Sequence, residues 1–179
     1  MTVGLAVEFL MDRLLALLLG HLDFWTWLIA LVGASLQVRR QFTWPRWAEA
    51  VLLWSAFWVL GVNGFLGFVE HLFFGPFIAE RIGWPNSPFQ FEVAYANLTI
   101  GILGLSSVWL RRRDYLPATM VAYGNWFFAD GVGHVVSLVR DNNWAPSNVD
   151  TVLFTDLLGP ILAAVLLWMS RSERTRLKG

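Results

Sequence analysis

Five long apolar stretches, separated by short polar breaks, constrain this chain more than any other feature. They cover residues 12–38, 47–74, 88–110, 115–139 and 152–169. About 20 mostly apolar residues suffice for a helix to cross the hydrocarbon core of a bilayer. Composition agrees, since 56% of the 179 residues are hydrophobic and only 15% are charged. A soluble domain carries about a quarter charged residues. The expected fold is all-α: a single domain over residues 1–179, built as a bundle of five transmembrane helices.

The breaks have recognisable chemistry. Arg39, Arg40 and Pro45 close the first stretch, Gly75 and Pro76 the second, and Arg111, Arg112 and Arg113 the third. Pro117 falls in the opening turn of the fourth, where a missing N–H costs little. A polar turn over residues 141–148 precedes the fifth, and Pro160 inside that helix is expected to kink it. Basic residues set the direction: Arg39, Arg40, Arg46, the Arg triplet, and Arg171, Arg174, Arg176 and Lys178 all fall on one side. The positive-inside rule then puts the N-terminus outside and the C-terminus in the cytoplasm. Ahead of the first span, Glu8, Asp12 and Arg13 interrupt the apolar run, so the N-terminus reads as a short amphipathic lead and not as a cleaved signal.

Several function classes drop out. Thirteen basic and thirteen acidic residues balance, and no basic patch interleaved with aromatics suggests nucleic acid. The absence of cysteine excludes disulfides, thiolate metal sites and cysteine nucleophiles. Eleven tryptophans suit the two interfacial belts of a membrane protein, whose first partner is lipid.

The ionisable residues that interrupt the apolar stretches are His21, Asp23, Glu70, His71, Glu92, Asp130, His134 and Asp156. With the spans laid out, they fall toward the outer membrane face. Such groups are expensive in hydrocarbon and mark a pathway, a bound ion or a reaction centre. Asp130 and His134 lie about 15 Å and 9 Å from the outer end of the fourth helix, at 1.5 Å per residue. They are four residues apart and share a face. Asn63, Gly67, Glu70 and Phe74 form one stripe of the second helix. Gly67, Gly101, Gly104, Gly131 and Gly133 let neighbours approach closely. Residues 75–87 form a loop long enough to cap the outer face.

Three uses fit this layer. Two histidines with several carboxylates resemble the ligand set of dinuclear carboxylate centres in helical bundles, and mixed oxygen and nitrogen ligands suit iron, manganese or zinc. Carboxylates and a neutral imidazole also suit acid–base work or a proton relay. Haem held by two of His21, His71 and His134 ranks below these, because it leaves Glu92 and Asp130 without a role. Simpler explanations stand beside each residue. Glu92 sits in the first turn of its helix, where the dipole favours a carboxylate; Glu70, His71 and Asp156 can be solvated at the interface; His21 and Asp23 read as interfacial.

Residues 83–105 carry the most distinctive motif, S-P-F-Q-x-E-V-x-x-A-N-L over residues 87–98. It resembles an uncharacterised family of small bacterial integral membrane proteins, and Gly133-His134 is similar to that family's G-H pair. The resemblance implies a membrane bundle of four or five helices in a bacterial inner (plasma) membrane, with no assigned activity. It also implies that Gln90, Glu92, Asn97 and His134 belong to one site. A second likeness, in the kind of residues and not in any motif, is to the emopamil-binding and sigma-2-receptor group, which includes sterol isomerases and implies proton transfer on an apolar substrate.

The expected site is an outer pocket with Asp130, His134 and Glu92 as catalytic groups. Glu70, His71, Glu92, Asp130 and His134 are its metal ligands, and Gln90, Asn97 and Asn63 contact the ligand. The leading expectation is an oxidoreductase or hydrolase with one or two transition-metal ions, acting on a lipophilic small molecule. The alternatives are a small-molecule binder or proton-coupled carrier, and an accessory subunit of a membrane complex or homo-oligomer.

Overall fold

The computed structural model describes residues 20–110 and 114–171, and these form helices joined by short turns. The predicted amphipathic lead, the Arg triplet and the basic tail beyond Arg171 lie outside the described residues. The helices are α1 (Leu22–Val38), α2 (Trp44–Phe73), α3 (Gly75–Ile82), α4 (Phe89–Leu110), α5 (Tyr115–Asp141) and α6 (Pro146–Met169). Three of them, α2, α4 and α6, are long and apolar enough to cross a membrane. The cap predicted as a loop is a helix: α3 starts at Gly75-Pro76 and stops at Gly83, whose φ of 78° is left-handed and suits glycine.

Local chemistry explains the ends. Thr43 caps α2, its hydroxyl accepting from the Arg46 N–H at 3.4 Å, with Pro45 in the first turn; both are standard helix-start devices. Asn142 closes α5 at φ 52°, asparagine being one of the few other residues that tolerate this region. The first turn of α6, Pro146–Val149, breaks at Asp150, whose side chain accepts from the Thr151 N–H at 2.8 Å as the helix restarts. The helix then continues through Pro160. Within α2, Ala56–Val62 winds as a π-helix, a wide turn often found at functional sites.

The long helices alternate in direction. Trp47 and Trp54 of α2 donate to Ser35 and Gln37 of α1 at 2.9 and 2.7 Å. Gly64 of α2 sits against Gly101 of α4, so that a Cβ on Gly64 would lie 2.7 Å from the Gly101 Cα. Ser107 of α4 donates to Thr119 of α5 at 2.9 Å, Gly131 of α5 packs on Leu157 of α6, and Trp27 of α1 lies over Gly159 of α6. One end of the bundle, where α1 turns into α2 and α6 finishes, is filled by a core that includes Ala48, Leu52, Leu60, Met120 and Leu166. The other end is hollow.

Candidate functional site

The hollow end holds a cavity of about 290 Å³. Asp23 and Trp27 of α1, Asn63, Glu70 and His71 of α2, and Gln90 and Asn97 of α4 form part of its wall. Tyr123, Trp126, Phe127, Asp130 and His134 of α5 and Asp156 of α6 complete it, under a cap made by Ile78, Arg81 and Trp84. Three members of the predicted α2 stripe, Asn63, Gly67 and Glu70, line the cavity with Leu66 and His71, whereas Phe74 lies past the helix end and is exposed. Glu70 is also exposed and stands where the cavity opens.

The buried centre is Asp130, His134 and Asp156, each offering a ligand atom within 4.8 Å of the others. His134 is only 3% exposed and Asp156 4%. Hydrogen bonds determine the imidazole tautomer. The Asn148 amide nitrogen donates to the carbonyls of Asn143 at 2.9 Å and His134 at 3.4 Å. Its Oδ1 therefore faces Nδ1 of His134, which donates to it at 2.8 Å. A neutral ring protonated at Nδ1 has a bare lone pair on Nε2. That lone pair looks at Asp156 Oδ2, 3.9 Å away, an oxygen that is buried without a hydrogen-bond partner. Two acceptors facing each other beyond hydrogen-bond distance leave a place for positive charge.

A frame of polar side chains holds this ring. Trp84 stacks on His134 with centroids 5.2 Å apart and planes at 21°, and its Nε1 donates to Ser137 Oγ at 2.9 Å. Asn143 donates to the same hydroxyl at 3.0 Å and to the Ile82 carbonyl at 2.8 Å. The α3–α4 linker and the end of α3 are thereby tied to α5 and to the α5–α6 turn beside the histidine. On the opposite wall His71 Nδ1 donates to Gln90 Oε1 at 2.6 Å, and Asn97 donates to the Val93 carbonyl at 3.0 Å.

Glu92 departs from expectation. It is exposed and does not line the cavity. Gln90, Val93 and Asn97 present the cavity face of α4, and at about 100° per residue Glu92 points elsewhere. Its position in the first turn of α4 is accounted for by the helix dipole. Asp156, placed in the polar layer but not assigned to the site, takes the place in the centre expected for Glu92. Asp23 also differs, lining the cavity while accepting from Thr155 at 2.9 Å and Thr151 at 3.3 Å. His21 stays outside, with Nδ1 at 3.0 Å from Thr151 Oγ1 and 3.8 Å from Asp150. Glu70 and His71 line the wall, but among the described residues only Asp130, His134 and Asp156 form a three-ligand group.

The residue-level reading also missed Asn148, Trp84, Trp27 and Tyr123. Only Trp84 carried a signal, since it lies inside the distinctive motif segment. The donor set of two carboxylate oxygens and one imidazole nitrogen fits zinc, manganese or iron. Ligands about 2.0–2.2 Å from a shared tetrahedral ion stand about 3.4 Å apart, so the trio would have to draw together to hold one. Four carboxylates line the cavity against one arginine, Arg81, and that arginine is exposed over the Phe77 ring at 5.9 Å.

No curated protein and no solved structure matches the chain. One family does, over residues 20–176, in keeping with the uncharacterised family that the motif segment resembles. The chain belongs to this family of unknown function, DUF6790.

Proposed function

We propose that this is a five-span membrane protein whose outer cavity binds one divalent transition-metal ion through Asp130, His134 and Asp156, for chemistry on a lipophilic small molecule. The five-span reading is supported by the surface of α5. Its Tyr123, Asp130 and His134 line the cavity, while Val121, Phe128, Val132, Val136 and Val139 are exposed. Phe24, Leu28, Val32 and Leu36 give α1 the same apolar exterior. The basic residues flanking the packed end support an N-terminus on the outer side.

One observation carries the metal: a bare Nε2 opposite an unpartnered, buried carboxylate oxygen. Two further features match what metal-ligating histidines need. The second ring nitrogen donates to an oxygen that fixes the tautomer, here Asn148, and the ring is clamped, here by Trp84. A bound ion would act as a Lewis acid. Asp130, half-buried at the cavity side, is the member of the trio that a substrate entering the cavity can reach. The dinuclear form is not favoured, because Glu70 and His71 stand outside the trio.

Elemental analysis of the detergent-purified chain tests this reading. About one ion per chain is expected, lost in Asp156→Asn and His134→Gln and kept in Glu92→Gln. Protein without stoichiometric metal, or metal content indifferent to Asp156→Asn, contradicts it. A metal-free reading rests on the same 3.9 Å pair, with His134 and Asp156 moving a proton on the ligand; ligand binding by metal-free protein would favour it.

A further inference from the structure

The cap helix α3 serves the cavity with only part of its surface. Ala79 is buried, and Ile78 and Ile82 line the cavity. Phe77, in contrast, is 56% exposed. It does not stand alone. Phe73 and Phe74 at the end of α2, and Phe89 and Phe91 in the first turn of α4, are exposed as well.

Gln90 brings these phenylalanines together. A Cβ on Gly75 would lie 3.3 Å from the Gln90 Cβ, so the first turn of α4 presses on the joint between α2 and α3. Phe89 and Phe91 flank Gln90, and Phe73 and Phe74 precede Gly75, which puts all four beside that joint. The motif segment thus has a second side. Gln90 turns to His71, Phe91 is exposed, and Phe89 does both, lining the cavity while 53% exposed.

The course of α3 follows from its two ends. Gly75 meets α4 through Gln90. Gly83 meets the α5–α6 turn, where an added Cβ would fall 2.9 Å from the Ala145 Cβ. The eight residues between run about 12 Å at 1.5 Å per residue, so α3 lies across the hollow end of the bundle.

Large apolar side chains exposed together mark a partner or a membrane. Continuity identifies which. The patch is the end of the surfaces of α2 and α4, two helices long and apolar enough to cross a membrane. Phe65 and Val69 continue its exposed apolar surface along α2, and Tyr95 and Ile102 along α4. Glu80 and Glu92 give the patch a polar rim. The exposed Arg81 guanidinium lies 5.9 Å over the Phe77 ring, as a long basic side chain does when its head seeks the headgroup layer. An apolar side and a charged border are the make-up of a helix that lies in the interface plane. We infer that α3 and the phenylalanine collar around it are embedded in the outer leaflet, with lipid as the partner of this face. This deepens the membrane reading proposed above, on which it rests: the roof of the cavity lies at headgroup level, and a lipophilic ligand meets the cavity rim at Phe89 from the leaflet.

The absence of cysteine makes site-directed spin labelling the direct test. The full chain is placed in phosphatidylcholine nanodiscs with single labels at Phe77→Cys, Phe91→Cys, Ile102→Cys and Asp141→Cys. Collisions with oxygen, which concentrates in hydrocarbon, and with a water-soluble nickel chelate give the depth of each label. Labels at Phe77 and Phe91 should lie about 5–10 Å below the phosphates, with Ile102 deeper and the exposed Asp141 in water. Phe77 and Phe91 as open to nickel as Asp141, with Ile102 in lipid, would overturn the inference and leave the membrane reading standing. Ile102 open to nickel would sink both. Phe77 and Phe91 closed to oxygen and nickel alike would put a protein on this face and overturn the inference too. Two collar sites keep the test decisive where one variant fails to fold.

Discussion

The two ends of this bundle are built from the same helices but solve opposite problems. At the packed end, small residues let backbones touch. A Cβ at Gly104 would meet the Ala56 carbonyl at 2.4 Å and the Gly61 nitrogen at 2.8 Å, so α4 presses directly on the π-helical part of α2. At the hollow end, long polar and aromatic side chains hold the helices around a void and leave several polar atoms without partners. The comparison teaches that stability and function are separated along the bundle axis. Close small-residue packing supports helix association in apolar surroundings, and that rigidity lets the other end keep unpaired polar groups.

The separation can be broken from the packed side. Gly104→Ala places a methyl against backbone that cannot turn away. A loss of about 3 kcal/mol is expected, read as a fall in the midpoint of detergent-induced unfolding. Gly131→Ala is the matched control in the hollow half. Its methyl would meet Leu157 Cδ2 and Cγ at 2.9 Å and Asp156 Cβ at 3.1 Å, side-chain carbons and not backbone, so a smaller loss of about 1–2 kcal/mol is expected. Equal losses at the two positions would show that the halves do not differ in rigidity.

At the hollow end stability and binding should move in opposite directions. Asp156→Asn removes a buried carboxylate whose Oδ2 has no partner. It should stabilise the metal-free protein by about 1 kcal/mol while abolishing stoichiometric metal. Asn148→Leu leaves every ligand in place but frees the His134 ring, and should weaken metal binding about tenfold in a competition titration. Glu92→Gln should change stability by less than about 0.5 kcal/mol and leave metal content unaltered, as its exposed position requires.

Helix content and approximate bounds were legible because hydropathy and breakers act locally. The predicted 47–74 and 88–110 stretches are found as Trp44–Phe73 and Phe89–Leu110. The Asp130–His134 face was legible for the same reason, since four residues make one turn. What was not legible is rotation of one helix against another. Glu92 and Asn97 sit on the same helix in the same apolar stretch, and nothing local says which one faces inward; the seam of Gly101 and Gly104 against α2 decides it. The depth of Asp156, one turn into its helix, fits both a solvated and a buried carboxylate; the fold decides for burial, at 4% exposure. The π-helical turn ahead of Asn63 leaves no mark in composition.

X-ray absorption of the zinc-loaded protein tests the central claim most directly. The account predicts one imidazole nitrogen and carboxylate oxygens at about 2.0–2.2 Å, with the imidazole scattering lost in His134→Gln. An oxygen-only shell like that of the hydrated ion, or a spectrum unchanged by His134→Gln, would contradict it.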